Sequence, residues 1–337
     1  MSRLRKIVAL FTVAAALLVG GVVVWADSSV RAPGPLAEST SLVVTKGAGL
    51  TEIAHKLAGR GVIDSPTLFV LVAWIDGAQH QLRAGEYAFE ERVSIRQAID
   101  ILREGRTVVR RVTIAEGLTS QEVVAVLKDA DGLEGDLQAT PPEGSLLPNT
   151  YHYSLGDSRT AIVDRMTAAM QTTLAALWEE RASGLPLATP QEALILASIV
   201  EKETAVPEER ARVAAVFVNR LRKRMRLESD PTVVYGLTGG SGPLGRALLR
   251  KDLRRDHPYN TYRIKGLPPG PIANPGRDSL AAVMNPIESE ELFFVADGTG
   301  GHAFAKTLEE HNRNVAKWRK IRREQRRKQR QRQGSGG

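Results

Sequence analysis

Two carboxylates, Glu201 and Glu203, close the run Ile199-Val-Glu-Lys-Glu-Thr-Ala-Val206, and acid–base chemistry is what such groups on an apolar helix can do. Leu196, Ile199 and Val200 build a face that leads to Glu203, which follows the last two by four and three residues. A carboxylate on a core-facing stripe is costly to desolvate, so its pKa should rise and its proton should persist near neutrality. A general acid needs that property. Glu201 competes, because it stands three and four residues after Ser198 and Ala197. Helical phase alone therefore leaves open which of the two acts. The structural alternative is an exposed Glu at a fraying helix end, paired with Lys202 or Arg210.

The element that must position these groups begins at Thr189-Pro190-Gln191-Glu192. Thr189 can cap, Pro190 suits the first helical position, and Glu192 falls where a capping box wants its acid. Around this helix the C-terminal half is dense in pattern: Leu147-Pro-Asn-Thr-Tyr151, Asp230-Pro-Thr-Val-Val-Tyr-Gly236, Tyr259-Asn-Thr-Tyr262, Gly266 to Gly276, Phe293 to Gly298 and Gly301-His-Ala-Phe304. The Pro/Gly run from Gly266 cannot be helix, and its prolines fix a loop path with little entropy left to lose. Rigid loops presenting Asn, Tyr and Asp suit a polar polymer such as a sugar chain. Core packing is the simpler role for Phe293, Phe294 and Tyr235. His302 and His311 match neither one helical face nor a zinc-site spacing, so no metal and no cofactor is expected.

The ends of the chain set its compartment. Ile7 to Trp25 is an uncharged, mostly apolar run of 19 residues preceded by Arg3, Arg5 and Lys6. That length can span a bilayer, and the basic flank predicts a cytoplasmic N-terminus with everything beyond residue 26 outside the cytoplasm. A cleaved signal peptide ending at Val24-Trp25-Ala26 is the competing reading, which the length of the run disfavours. There is no cysteine, which excludes disulfides, thiolate catalysis and a lipobox anchor. The formal net charge is +8, but residues 317–332 hold ten Lys/Arg and one Glu, so the rest of the chain is close to neutral. The basicity is a tail that could attract anionic lipid or wall polymer. Outside the cytoplasm it meets no nucleic acid.

Asp27 to Ser41 reads as a linker, rich in Ser, Pro and Gly. Strands are expected at Ser41–Thr45, Leu82–Phe89 and Val108–Glu116. Helices are expected at Leu50–Arg60 with Thr51 as cap, Pro66–Trp74, Ser94–Arg103 and Thr119–Leu127. Strand, helix, helix, strand is the order of a small wall-binding LysM module, and Gly47-Ala-Gly-Leu-Thr-Glu-Ile-Ala54 resembles its opening. A generic α+β packing module has the same order. Asp131 to Gly144 reads as a flexible separator before the C-terminal half. The expected class is α+β: a transmembrane helix at 7–25 after a cytoplasmic stub at 1–6, a linker at 26–41 and a LysM-like module at 42–104. A mixed α/β catalytic domain with Pro/Gly-rich substrate loops follows at 105–318, and a basic tail at 319–337.

Taken together, Ala197-Ser-Ile-Val-Glu-Lys-Glu-Thr204, Asp230 to Gly236 and Tyr259 to Gly276 resemble the endolytic murein transglycosylases, the MltG or YceG-like family, from about Leu42 to Trp318. The resemblance implies a single-pass inner-membrane enzyme with a periplasmic catalytic domain that cuts nascent peptidoglycan strands, with peptidoglycan synthases as partners. It also implies that the second Glu of Glu-Lys-Glu-Thr is the catalytic acid, which selects Glu203 over Glu201. Such a lyase needs one acid–base group, because the muramyl C6 hydroxyl is the nucleophile and leaves a 1,6-anhydro end. Asp230, Tyr259, Asn260 and Tyr262 are the candidates to orient the sugars. Asn149 departs from the family pattern, which has Asp after Pro148. A noncatalytic peptidoglycan-binding anchor and a hydrolytic muramidase are the alternatives.

Overall fold

The computed structural model describes residues 2–334 and divides into two compact units. The first comprises the chain up to Arg110 together with His152–Asp157, and the second comprises Arg111–Tyr151 and the chain from Ser158.

The first unit opens with α1 (Ser2–Arg31), followed by β1 (Thr40–Val44), α2 (Leu50–Gly59), α3 (Pro66–Ile75), β2 (Gly85–Phe89) and α4 (Ile95–Glu104). β1 and β2 pair antiparallel with Leu42 opposite Tyr87. Those inward faces meet Leu57, Phe69, Ile99 and Leu102 in one apolar core. Ser94 accepts from Gln97 N–H while the Gln97 side chain accepts from Ser94 N–H, a complete capping box at the start of α4. Two expectations change here. Thr51 lies inside α2, whose N-cap is Gly49 with no side-chain bond. The segment read as a linker from Asp27 continues α1 to Arg31, and Val30 and Leu36 are buried in the core, so apolar burial overrides the loop-forming composition. From Ile7 to Arg31, α1 is long and apolar enough to cross a membrane, with Leu10, Phe11, Leu17, Leu18 and Trp25 exposed.

The second unit takes in most of β3 (Arg110–Thr113), α5 (Ser120–Asp129) and the start of β4 (Thr150–Tyr153). It continues through α6 (Arg159–Glu179), α7 (Pro190–Glu203), α8 (Arg210–Arg222), α9 (Asp230–Thr238), the single turn α10 (Arg250–Leu253) and α11 (Arg277–Met284). A hairpin of β5 (Phe293–Ala296) and β6 (His302–Ala305) sets Phe294 opposite Phe304, and α12 (Leu308–Gly334) closes the chain. The unit is mostly helical, and its strands form only short two-stranded pairs, so the expected mixed α/β domain is helix-dominated. α7 is its axis. Every residue from Ala193 to Val200 is buried, and the helix packs on α6, α8, α9 and α11. Thr189 accepts from Glu192 N–H and Pro190 holds the first position, as the sequence predicts. The Glu192 carboxylate, however, accepts from Ala188 N–H rather than from the cap residue.

The Pro/Gly run is where the fold departs most from expectation. Pro271 to Gly276 is buried, not presented to solvent. Ser198 Oγ accepts from Ile272 N–H at 3.0 Å and Glu201 Oε2 accepts from Gly276 N–H at 3.0 Å. Asn274, wholly buried, accepts from Leu146 N–H through Oδ1 and donates through Nδ2 to Leu118 O, Ser120 Oγ and Glu143 Oε1. A loop of this composition can be buried because prolines remove donors and α7 side chains satisfy donors that remain. Asp131–Gly144 likewise lies within the second unit rather than dividing the chain. Leu133 is buried there, and Glu143 accepts from Ser120 N–H. Asn274→Ala strands the buried Leu146 N–H and removes one bond each from Leu118 O, Ser120 and Glu143, so it should lower stability by about 1–3 kcal/mol, read as a lower midpoint of chemical denaturation.

Candidate active site

Glu203 is the last residue of α7, and Thr204 caps the helix behind it. The residue keeps some exposed surface, yet its carboxyl is enclosed by protein. Its hydrogen-bond partner is a hydroxyl: Ser229 Oγ donates to Glu203 Oε1 at 2.5 Å. Burial pushes the Glu203 carboxyl up to about 7, against an ordinary 4.5. The Asp230 charge pushes the same way, while the Ser229 hydroxyl, His302 and Arg220 oppose it without cancelling the cost of burial. The group is poised to hold and release a proton near neutrality.

Glu201 sits two residues earlier in a different setting. Its side chain is buried, at 6 % exposure, and it is engaged by the Gly276 N–H and lies 3.9 Å from Arg210. Arg210 also reaches Glu116 and Asp278 at 3.0 and 3.3 Å. Helical phase could not separate the two carboxylates because both faces of α7 are buried. Their partners separate them: Glu201 is an anchor for the loop, and Glu203 is met by one hydroxyl.

Asp230 and Tyr262 join Glu203. The Tyr262 hydroxyl donates to Asp230 Oδ1 at 2.7 Å, and burial together with that bond holds the phenol far above its ordinary range. Asp230, exposed at the first turn of α9, lines a cleft of about 680 Å³ with Lys202, Tyr235, Thr238 and Arg246. Glu203 itself does not line it, although its neighbours Lys202 and Asp230 do. Lys202 is steadied by a bond from Nζ to Gly117 O. Tyr259 packs against Tyr235, with ring centres 4.9 Å apart, at the edge of the apolar core.

Asn260 takes another role than the sugar contact expected of it. It is 1 % exposed, its Nδ2 donates to the carbonyls of Asp252, Leu253 and Arg255, and its Oδ1 accepts from Tyr262 N–H. With its amide so engaged, Asn260 ties the loop together instead of meeting a ligand. His302 pairs with Glu209, whose carboxylate lies 2.6 Å from Nδ1, and His311 stacks on Phe293 with centroids 5.2 Å apart. Among the described residues no group of three His, Asp or Glu could hold a metal ion. Phe294 meets Phe217 edge-on at 5.7 Å, a packing role.

Ser229 is the functional residue that the sequence reading passed over. It directly precedes Asp230-Pro231 at the N-cap of α9, where a serine ordinarily bonds the first turn. Here its hydroxyl makes no cap bond and turns to Glu203 instead. The available signal was Ser-Asp-Pro itself, but a capping serine and a diverted one read alike.

The family model of the YceG-like family matches residues 42–317 of this chain. An endolytic murein transglycosylase of Bacillus subtilis is 29% identical over 339 residues, covering 90% of this chain and 91% of that protein. Its namesake in Streptococcus pneumoniae is also 29% identical, over 81% of this chain, which spans 57% of that longer protein. A crystal structure of a YceG-like protein from Listeria monocytogenes superposes with a TM-score of 0.51 at 30% identity, covering 82% of this chain and 99% of that one. The chain belongs to the YceG-like family.

The raised pKa of Glu203 makes stability depend on pH with a definite sign. Below 4.5 both folded and unfolded chains hold this proton, and the group has no effect. Between 4.5 and about 7 the unfolded chain releases it while the folded one keeps it, so stability falls as pH rises. Above that window the loss is complete and on the order of 3 kcal/mol. Glu203→Gln should therefore remove this part of the decline and leave the variant more stable than the parent at pH 8, as measured by denaturation midpoints across pH.

Proposed function

We propose that this YceG-like chain is a membrane-anchored endolytic peptidoglycan transglycosylase in which Glu203 is the sole acid–base group. The observation that carries the reading is the enclosed Glu203 carboxyl, protonated up to about pH 7, with one hydroxyl partner and a cleft beside it. The names of the relatives from Bacillus subtilis and Streptococcus pneumoniae support the substrate class. An elongated glycan suits a cleft whose wall mixes Pro231, Val234 and Leu248 with Lys202, Asp230 and Arg246.

The chemistry follows from one carboxyl used twice. Glu203 gives its proton to the oxygen that joins C1 of N-acetylmuramic acid to C4 of N-acetylglucosamine, and the C1–O bond breaks. The C6 hydroxyl of the same muramyl sugar bonds to C1, and its proton returns to the Glu203 carboxylate. No water is consumed, and the products are a 1,6-anhydro muramyl end and a free C4 hydroxyl. The nucleophile is intramolecular, so orientation replaces the activation of water. Asp230, fixed by Tyr262, raises the acid's affinity for its proton and faces the cleft where the sugars lie. Tyr259 is placed to support the loop beneath them.

The anchor reading completes the assignment. α1 spans the inner membrane once with its N-terminus in the cytoplasm, and residues 27–337 lie on the outer side beside nascent strands and the synthases that extend them. Residues 42–104 form a LysM-like module within the first unit. The net +9 of residues 317–332 adds electrostatic attraction to anionic wall polymer.

Four experiments test these assignments. Mass analysis of products from purified glycan strands should find 1,6-anhydro ends, and reducing ends as the main product would make the enzyme a hydrolase. Glu203→Gln should lower turnover by at least ~10²–10⁴-fold. Glu201→Gln should retain turnover, while weakening the Gly276 and Arg210 contacts lowers its stability. A reporter fused after Gly337 should work only in the form active outside the cytoplasm.

A further inference from the structure

Ser229 is held from every side by buried groups, and only its hydroxyl is free to reach Glu203. Its N–H donates to Thr261 Oγ1 at 2.9 Å, and its carbonyl accepts from Thr232 Oγ1 at 2.7 Å. The two threonine hydroxyls meet each other at 2.8 Å. Ser229, Thr232 and Thr261 are all at most 1 % exposed. The preceding residue, Glu228, has φ of 54°, a left-handed conformation that a non-glycine side chain adopts at a cost. That turn is secured by Glu228 N–H on Thr261 O and by Arg220, which binds the carbonyls of Arg226 and Leu227. Such expense at a loop whose one outward product is a 2.5 Å bond to an acid points to the bond as its purpose.

We propose that Ser229 is a positioning residue for Glu203: its hydroxyl occupies Oε1 and so leaves Oε2 as the oxygen that delivers and retrieves the catalytic proton. The inference rests on the reading of Glu203 as the acid. A carboxyl with both oxygens free can carry its proton on either and turn either toward the sugar. With Oε1 held by a fixed donor, the proton resides on Oε2, and the carboxyl plane is locked through the Ser229–Thr261 contact. The same bond steadies the carboxylate once the proton has left, because a hydroxyl donor favours the charged form. The Tyr259-Asn-Thr-Tyr262 segment thereby acquires a division of labour. Asn260 ties the loop, Thr261 holds Ser229, and Tyr262 holds Asp230.

The charged and titratable groups that face Glu203 are Asp230 on α9, Tyr262 in the loop, His302 on β6 and Arg220 on α8. None of these is changed by substituting Ser229, so the pH dependence isolates the hydroxyl. In the full-length protein acting on purified glycan strands, Ser229→Ala should move the alkaline limb of kcat/KM upward by about one pH unit. It should also lower the plateau kcat by roughly tenfold, because an acid whose carboxyl plane is no longer held delivers its proton less efficiently. Ser229→Thr, which keeps the hydroxyl, should leave the limb at its original pH. Ser229→Cys has nearly the same shape but a weak donor, and it should show the upward shift even if the alanine variant does not fold. Lost activity with an unmoved limb in the Ala and Cys variants would overturn the proposal and make Ser229 merely structural, as would parental behaviour in both. Retention of activity by Glu203→Gln would instead remove the acid itself, a separate failure.

Discussion

Burying one carboxyl at the end of a fully buried helix is the constraint from which the rest of the second unit follows. A charged carboxylate there is unfavourable enough to hold Glu203 protonated to about pH 7. An apolar replacement would remove that cost, and a second strong donor would remove the property, since each bond to the charged form lowers the pKa. The structure lies between these limits. One hydroxyl bond orients the group without abolishing its protonated form, and the neighbouring Asp230 offsets part of what the hydroxyl, His302 and Arg220 take away.

The other polar residues of α7 prepare the surroundings. Ser198 and Glu201 receive backbone donors of the Pro/Gly run, and Lys202 binds Gly117 O. Three polar side chains within five positions thus tie separate loops to one helix, and the fourth is left to act. This explains why two glutamates so close in sequence differ so far in role. Burial alone does not make an acid. The Glu201 side chain is also buried, but a backbone donor and a nearby guanidinium engage it.

Much of this was legible in the sequence, and the parts that were not share a cause. The start of α7 was written in Thr189 and Pro190, because capping is local and needs only neighbouring residues. The capping box of α4 and the order of strands and helices in the first unit were legible for the same reason. What resisted were contacts that only the folded backbone brings together. Asn260 read as a ligand because an exposed and a buried amide look identical in sequence, even though its partners lie only two to eight positions away. The buried role of Asn274 depends on partners up to 156 positions away. Ser229 was passed over because the hydroxyl's choice between its own helix and Glu203, 26 positions distant, is made by the fold. The linker from Asp27 was misread because Val30 and Leu36, the two apolar residues that dock it, stand among Ser, Pro and Gly.

The central claim is the protonation state of a single carboxyl, and it can be observed without substrate. Carbon-13 NMR of the full chain with its glutamate carboxyls labelled, and the Glu203 signal assigned by its loss in Glu203→Gln, follows that group through a pH titration. The account predicts a midpoint near 7. A midpoint near 4.5, the ordinary value for this side chain, would mean that water reaches the carboxyl freely, and would contradict the account.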